Sequence, residues 1–151
     1  MSKILLIYAS ITGNTELMAE VIEDQLTELN HEVVIKTFDF DPIYVEEIAD
    51  YDAVLVGTHT WDDGDLPYEV EDFYEDLDLV DITGKIFAIF GSADSFYPTY
   101  GGAIDLMWNR VQDLGANVLE NRLKVDLEPD QEDIERCKRF AIAIDEILGS
   151  S

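Results

Sequence analysis

Short aliphatic runs that alternate with longer amphipathic stretches constrain the fold of this chain more than any other feature. Lys3–Tyr8, Ala53–Thr58 and Lys85–Gly91 are nearly continuous in apolar residues, which is typical of strands buried on both faces of a sheet. His31–Phe38 alternates like a strand nearer an edge, and Asn117–Val125 is the predicted fifth strand. Strands that alternate with helices along the chain predict one open parallel sheet.

Four helices are predicted from apolar residues that recur at intervals of three or four. Right-handed crossovers would place these helices on both faces of an α/β sheet. Ligands bind such sheets at the carboxyl ends of the strands, so the loops after the first, third and fourth strands are the informative ones. In the first helix the buried stripe is assigned to Leu17, Val21, Leu26 and Leu29. The predicted helices are Asn14–Leu29, Pro67–Leu79, Gly102–Leu114 and Gln131–Leu148.

Composition and charge exclude several classes of function. The 151 residues include 34 Asp and Glu against 9 Lys and Arg, a net charge of −25, and 47% of them are hydrophobic. The hydrophobic content excludes intrinsic disorder, whereas the negative charge argues against binding to nucleic acid or anionic membranes and attracts basic partners. A single cysteine excludes an internal disulfide, and no apolar run is long enough to span a bilayer. We therefore expect one cytoplasmic domain over residues 1–151. Four further residues are assigned to packing in its interior, namely Tyr44, Tyr51, Trp108 and Cys137.

The loop after the first predicted strand leads directly into a helix and is rich in small polar residues. Gly13 permits a tight turn, and backbone N–H groups at the start of a helix favour an anion. The loop contains no Lys or Arg, and it matches neither the nucleotide P-loop nor the Gly-x-Gly-x-x-Gly dinucleotide turn. It fits either a neutral phosphate cradle or an ordinary strand–helix turn with an N-cap. Its residues are Ser10, Ile11, Thr12, Gly13, Asn14 and Thr15.

Aromatic residues occur in the loops after the third and fourth strands. Trp61 stands in a polar loop, where it either stacks on a planar ring or folds back over the next helix. His59 is interpreted as an ordinary residue of the same loop. Tyr97 lies in the following loop among small residues that let a ligand approach the backbone. Two aromatic loops and a neutral phosphate cradle at one edge suit a planar ring that carries a phosphate.

Three motifs in this order and spacing resemble a short-chain bacterial flavodoxin: Ser-x-Thr-Gly-Asn-Thr, Thr-x-Thr-Trp-x-x-Gly-x-Leu-Pro and Gly-Ser-x-Asp-x-x-Tyr. The resemblance runs from Lys3 to the last helix and implies a flavodoxin-like sheet of order 2-1-3-4-5. It also implies one noncovalent FMN, with its phosphate in the first loop and its ring between Trp61 on the inner face and Tyr97 on the outer. The other implied flavin contacts are Thr58, His59, Thr60, Asp62, Ser92, Ala93, Asp94 and Gly101.

Two positions depart from the pattern of the family. Asp62 stands where flavodoxins often have Gly directly after the loop Trp, and Ala93 replaces the usual Gly of Gly-Ser-Gly-Asp. Asp adopts a positive φ less readily than Gly does. We therefore expect the flavin contacts of this chain to differ in detail from those of the family at these two positions.

The resemblance implies a low-potential, one-electron carrier that cycles between FMN semiquinone and hydroquinone and has no substrate chemistry of its own. Implied partners are basic-faced redox proteins, namely flavodoxin/ferredoxin reductases and acceptor oxidoreductases, and the carrier is expected to be a monomer. The alternative is a flavodoxin-like NAD(P)H-dependent quinone or azo reductase, which needs a nicotinamide pocket that this short chain has little room for. A response-regulator receiver is rejected because Thr58 and His59 stand where its phosphoacceptor Asp would end the third strand.

Overall fold

The computed structural model describes residues 2–10, 13–59, 66–94 and 100–150, and its strands form one sheet. Every strand pair among these residues is parallel, and the order β2-β1-β3-β4-β5 confirms the predicted sheet. A sixth strand, β6, pairs with β4 further along the same edge as β5. The strands are β1 Lys3–Tyr8, β2 Glu32–Thr37, β3 Ala53–Gly57, β4 Ile86–Ala93, β5 Asn117–Val118 and β6 Leu123–Asp126.

Helices cover both faces of the sheet, which explains why the strand sequences are apolar without interruption. Along β1, Ile4 and Leu6 join the core beneath α1 and α4, whereas Leu5 and Ile7 join the core beneath α2 and α3. Successive side chains of a strand point to opposite faces, so a strand covered on both sides buries all of them. The helices are α1 Asn14–Glu28, α2 Tyr68–Asp76, α3 Gly102–Asp113 and α4 Gln131–Ser150, with 3₁₀ helices at Val45–Asp50 and Leu77–Leu79.

The predicted fifth strand is broken in two. Its first part pairs with the start of β4, and its second part pairs with Phe90–Ala93. Between them, the Leu119 N–H still donates to the Phe87 carbonyl at 2.8 Å, but the Leu119 carbonyl accepts the indole N–H of Trp108 at 3.0 Å. The indole therefore takes an acceptor that would otherwise be available to the sheet, and the strand is interrupted here.

The buried stripe of α1 differs from the predicted one. Leu17 and Val21 are only half-buried, and Leu29 lies beyond the last residue of the helix. The prediction is confirmed at Leu26 and was wrong at the other three positions. Thr and Ala contribute to the observed stripe and weaken its hydrophobic signal, while the flanking Leu and Val residues cover only its margins. The buried residues of α1 are Thr15, Met18, Ala19, Ile22 and Leu26.

Most of the predicted interior residues are buried, with one exception. Tyr51, Trp108 and Cys137 are no more than 8% exposed, as expected, whereas Tyr44 is 57% exposed and the prediction for it was wrong. Tyr44 stands at the N-cap of the 3₁₀ helix that precedes β3, where the buried side chains are those of Val45 and Ile48. None of the helices in the described parts of the chain has the length and apolar character needed to cross a membrane.

Gly91 allows β3 and β4 to approach closely at the edge where the informative loops begin. A Cβ added at Gly91 would overlap the carbonyl oxygen of Thr58 and would lie 3.1 Å from Cδ1 of Ile104. The obstacle at Thr58 is backbone inside a sheet, which has little freedom to move. Only glycine fits between these groups without displacing the end of a strand.

Replacing Gly91 with Ala is expected to lower the free energy of unfolding by about 3 kcal/mol or more, because the added methyl group overpacks the sheet. Gly149→Ala is the matched control, since a Cβ at Gly149 meets nothing within 4 Å. That change is expected to be neutral or to stabilise by up to about 0.5 kcal/mol. Urea unfolding of both variants measures the difference, and equal stabilities would contradict the close approach of the two strands.

Candidate functional site

The carboxyl ends of β1, β3 and β4 lie side by side. The register pairs Tyr8 with Gly57 and Gly57 with Phe90. Beyond the first of these pairs, the Ala9 N–H donates to the Gly57 carbonyl at 3.0 Å. Beyond the second, the Thr58 N–H donates to the Phe90 carbonyl at 3.1 Å. The three loops singled out by the sequence therefore start at a common level on one edge of the sheet.

The first turn of α1 presents neutral hydrogen-bond donors. Gly13 is the N-cap, with φ 90° and ψ −5°, a left-handed conformation that favours glycine. Because glycine has no side chain, Ser10 supplies the capping oxygen instead. Its Oγ accepts the N–H of Gly13 at 3.1 Å and the N–H of Glu16 at 3.3 Å. The helical ladder leaves the N–H groups of Asn14 and Thr15 without an acceptor inside the helix. Donors of this kind at a helix N-terminus suit an anion.

A buried pair of hydroxyl groups joins the first loop to the end of β4. Oγ1 of Thr15 and Oγ of Ser92 are 2.8 Å apart, and the Ser92 N–H donates to Oγ1 of Thr15 at 3.3 Å. Thr15 is 0% exposed and Ser92 is 6% exposed. Ser92 thus engages the Thr15 hydroxyl, while the Thr15 backbone N–H remains part of the first turn. The start of α1 is thereby held in a defined position relative to β4.

Tyr8 is a polar member of this edge, although the sequence predicts it only as the end of a strand. Its hydroxyl donates to Oε2 of Glu16 at 3.1 Å. Burial, this hydrogen bond and the nearby carboxylates of Glu16, Glu20 and Asp41 together raise the pKa of Tyr8 to about 12. Tyr8 is therefore a neutral donor at physiological pH. The signal that could have identified it is a hydroxyl in a run that is otherwise aliphatic.

The loop after β3 begins with a bridge to the loop after β1. Thr58 is fully buried, and its Oγ1 donates to the His59 carbonyl at 2.9 Å. Nδ1 of His59 lies 3.3 Å from the carbonyl oxygen of Ala9, a contact that requires the proton on Nδ1. The imidazole that was interpreted as an ordinary loop side chain thus joins two of the three loops.

The remaining described candidates lie at the two ends of the connection between β4 and α3. Ala93 ends β4, and its carbonyl accepts the Leu127 N–H at 2.7 Å. Gly101 is the N-cap of α3 with φ 69°, and its carbonyl accepts the N–H groups of Ile104 and Asp105. Ser92 and Asp94 occupy the strand end next to Ala93. The candidate residues that lie outside the described residues are Ile11, Thr12, Thr60, Trp61, Asp62 and Tyr97.

Replacing Thr15 with Val removes the shared hydroxyl without changing the shape of the side chain. The Ser92 N–H and hydroxyl would then lose a buried partner, so we expect a loss of about 1–3 kcal/mol in the free energy of unfolding. In a double-mutant cycle with Ser92→Ala, the two losses are expected to be non-additive by about 1 kcal/mol. Urea unfolding of the apoprotein gives all four values, and additive losses would contradict direct coupling across this pair.

Comparison with known proteins identifies the family. The family model described as "Flavodoxin" matches residues 6–140. "Probable flavodoxin 1" of Bacillus subtilis (strain 168) is 42% identical over 142 residues, which cover 93% of this chain and 89% of the relative. The crystal structure of oxidised Flavodoxin 1 from Bacillus cereus has a TM-score of 0.92 at 41% identity and covers 96% of this chain and 98% of its own.

A more distant structure shares the fold alone. It is a Fusobacterium nucleatum flavodoxin mutant bound to flavin mononucleotide, with a TM-score of 0.80, 19% identity, and coverage of 97% of this chain and 96% of its own. The match of the family model and the close relatives both extend across the sheet edge built by β1, β3 and β4. This chain therefore belongs to the flavodoxin family of electron-transfer flavoproteins.

Proposed function

We propose that residues 1–151 form one flavodoxin-like domain that binds a single FMN noncovalently where β1, β3 and β4 end and passes electrons singly to redox proteins. As a member of this family, the chain is an FMN-dependent electron carrier. The observation that carries the proposed site is the first turn of α1, whose donors are neutral and which is joined to the end of β4. When bound, FMN supplies the one-electron chemistry that the protein's own side chains lack.

The residues of the first loop fit a phosphate monoester. Ser10 organises the turn, and the N–H groups of Asn14 and Thr15 face the position that an anion takes at a helix N-terminus. A Cβ at Gly13 would meet no described residue within 4 Å apart from its chain neighbours, so the described part of the turn leaves room for a ligand there. We assign the FMN phosphate to Ser10–Thr15, including Ile11 and Thr12 by resemblance to the family.

The loops after β3 and β4 suit the flavin itself. Backbone groups held in place by Thr58, His59 and Ser92 can orient a ligand without a charged side chain. By resemblance, Trp61 and Tyr97 contact the two faces of the ring, and aromatic stacking of this kind excludes water from a planar ligand. The other assigned contacts are Thr60, Asp62, Ala93, Asp94 and Gly101.

The acidic chain opposes the accumulation of further negative charge near the site. Glu69 lies in the first turn of α2, which follows the loop after β3, and Asp94 follows the end of β4. Fixed carboxylates raise the energy of any anion that forms close to them. These carboxylates are expected to make the addition of the second electron to FMN less favourable. This is the property of a low-potential electron donor.

The same charge defines the kind of partner. A net charge of −25 steers a protein with a basic face toward this one and disfavours nucleic acid and anionic membranes. By resemblance to the family, we assign flavodoxin/ferredoxin reductases as donors and acceptor oxidoreductases as recipients, with the carrier acting as a monomer in the cytoplasm. The buried position and raised pKa of Cys137, about 11, make it an unreactive thiol, in keeping with a packing role.

Anaerobic reductive titration of the FMN-loaded protein tests this function directly. Apoprotein is expected to quench FMN fluorescence at a ratio of one to one, and dithionite is expected to reduce the complex in two separate steps with a transient long-wavelength band between them. Failure to quench FMN fluorescence would contradict the site. Steady oxidation of NADPH by the isolated protein with a quinone would instead favour the reductase.

Two glycine variants distinguish a specific effect on phosphate binding from the general strain of placing a side chain at a positive φ. Gly13 and Gly84 both have positive φ values, 90° and 75°, and at neither would a Cβ come within 4 Å of a described residue other than its chain neighbours. Alanine at either position is expected to lower the free energy of unfolding by about 1–2 kcal/mol, because the left-handed conformation disfavours a side chain. Only Gly13→Ala is expected to weaken FMN binding, by about tenfold, since only Gly13 shapes the first turn of α1. Fluorescence titration and urea unfolding measure both effects, and equal FMN affinities for the two variants would contradict the cradle.

A further inference from the structure

We propose that Lys124 is a positioning residue that holds Tyr100 and Gly101, where the chain enters α3, against the end of β4, beside the position assigned to the flavin ring. This inference rests on the proposed function, because the β4–α3 connection is one of the two loops assigned to the flavin. Lys124 belongs to no binding motif of the sequence, and it lies on β6, outside the three loops that point to FMN.

The backbone of Lys124 is fixed at the start of the connection. In the register of β4 and β6, Lys124 pairs with Gly91, the residue before Ser92. The Lys124 carbonyl accepts a hydrogen bond from Nη2 of Arg136 at 2.9 Å, and Nη1 of Arg136 is itself paired with Asp133 at 3.0 Å. The main chain of Lys124 therefore stays aligned with the end of β4.

The side chain of Lys124 reaches the other end of the connection. Its Nζ donates to the Tyr100 carbonyl at 3.1 Å and to Oδ2 of Asp105 at 2.8 Å. Tyr100 is the residue before the N-cap of α3, and Asp105 lies in the first turn of that helix. The Lys124 side chain is only 20% exposed, so its charge is incompletely hydrated and depends on these two acceptors. One side chain thus fixes the peptide through which the chain enters α3.

Gly101 shows that the Lys124 stem is packed as well as hydrogen-bonded. A Cβ added at Gly101 would lie 2.8 Å from Cδ and 3.1 Å from Cε of Lys124. The aliphatic stem therefore lies directly against the Gly101 backbone, which has φ 69°. Hydrogen bonds on one side and van der Waals contact on the other leave the Tyr100–Gly101 peptide little freedom to rotate.

A backbone segment that is already held in place loses less conformational entropy when a ligand binds against it, and this preorganisation strengthens binding. Through its backbone pairing with Gly91 and its side-chain contact with Tyr100, Lys124 joins the end of β4 to the start of α3. The neighbouring cation Arg122 does not join them. Nη1 of Arg122 pairs with the same Asp105 at 3.0 Å, but its guanidinium lies over the Trp108 ring, 4.1 Å from the centroid. Arg122 is therefore a matched control with the same charge and a shared partner, and its side chain makes no hydrogen bond to the described residues of the connection.

Fluorescence titration with FMN, together with hydrogen exchange of the apoproteins, tests the role of Lys124. Lys124→Met keeps the stem but removes the ammonium group, and it is expected to raise the FMN dissociation constant by about tenfold. It is also expected to accelerate amide exchange in residues 100–105 of the apoprotein. Arg122→Met is expected to leave the FMN dissociation constant within about twofold of wild type, and Lys124→Arg is expected to restore most of the affinity.

The outcomes distinguish three cases. If wild-type protein binds FMN and Lys124→Met binds it equally well, the positioning role is wrong while the proposed function stands. Equal weakening by Lys124→Met and Arg122→Met would also overturn the proposal, because the lost positive charge would then account for both. A wild-type protein that fails to bind FMN would overturn the proposed function itself. Should Lys124→Met not fold, Asp105→Asn removes the carboxylate partner, and unchanged FMN affinity in that variant would equally reject the role.

Discussion

The parallel register at the carboxyl ends of β1, β3 and β4 is the constraint on which the site depends. Hydrogen bonds from Ala9 to Gly57 and from Thr58 to Phe90 extend the ladder past the strands, so the loops leave the sheet at one level. The hydroxyl pair of Thr15 and Ser92 then joins the first loop to the fourth strand, although 77 residues separate them. If this register were lost, the hydrogen-bond donors at the ends of β1, β3 and β4 would move apart, because they belong to different loops.

Neutral hydrogen-bond donors and charged side chains occupy different parts of the molecule. The proposed phosphate cradle consists of N–H groups and hydroxyls, while the chain as a whole has a net charge of −25. A cation in the cradle would bind phosphate more strongly but would also stabilise an electron-rich ring nearby. Neutral donors hold the anion without that compensation. The cations Arg122 and Lys124 are instead engaged by Asp105 at the start of α3.

The sequence pattern predicted the sheet and the helices, because buried strands and amphipathic helices each have a characteristic periodicity in the sequence. It also indicated the sheet edge to which we assign the flavin. The stripe of α1 was misplaced by one residue, since Thr15 and Ala19 are buried there but carry little hydrophobic signal. The interruption between β5 and β6 was not predictable, because it depends on where the Trp108 indole finds an acceptor. Contacts such as Lys124 with Tyr100 join distant segments and have no local signature.

The dependence of FMN affinity on salt tests most directly whether a neutral cradle holds the phosphate in this acidic protein. The FMN dissociation constant should be measured between about 0.01 M and about 0.1 M NaCl, which shortens the Debye length from about 30 Å to about 10 Å. With no cation on the phosphate, salt screens only the repulsion between FMN and the negative chain, so the dissociation constant is predicted to fall. A dissociation constant that rises with salt would show attraction by a protein cation and would contradict the neutral cradle.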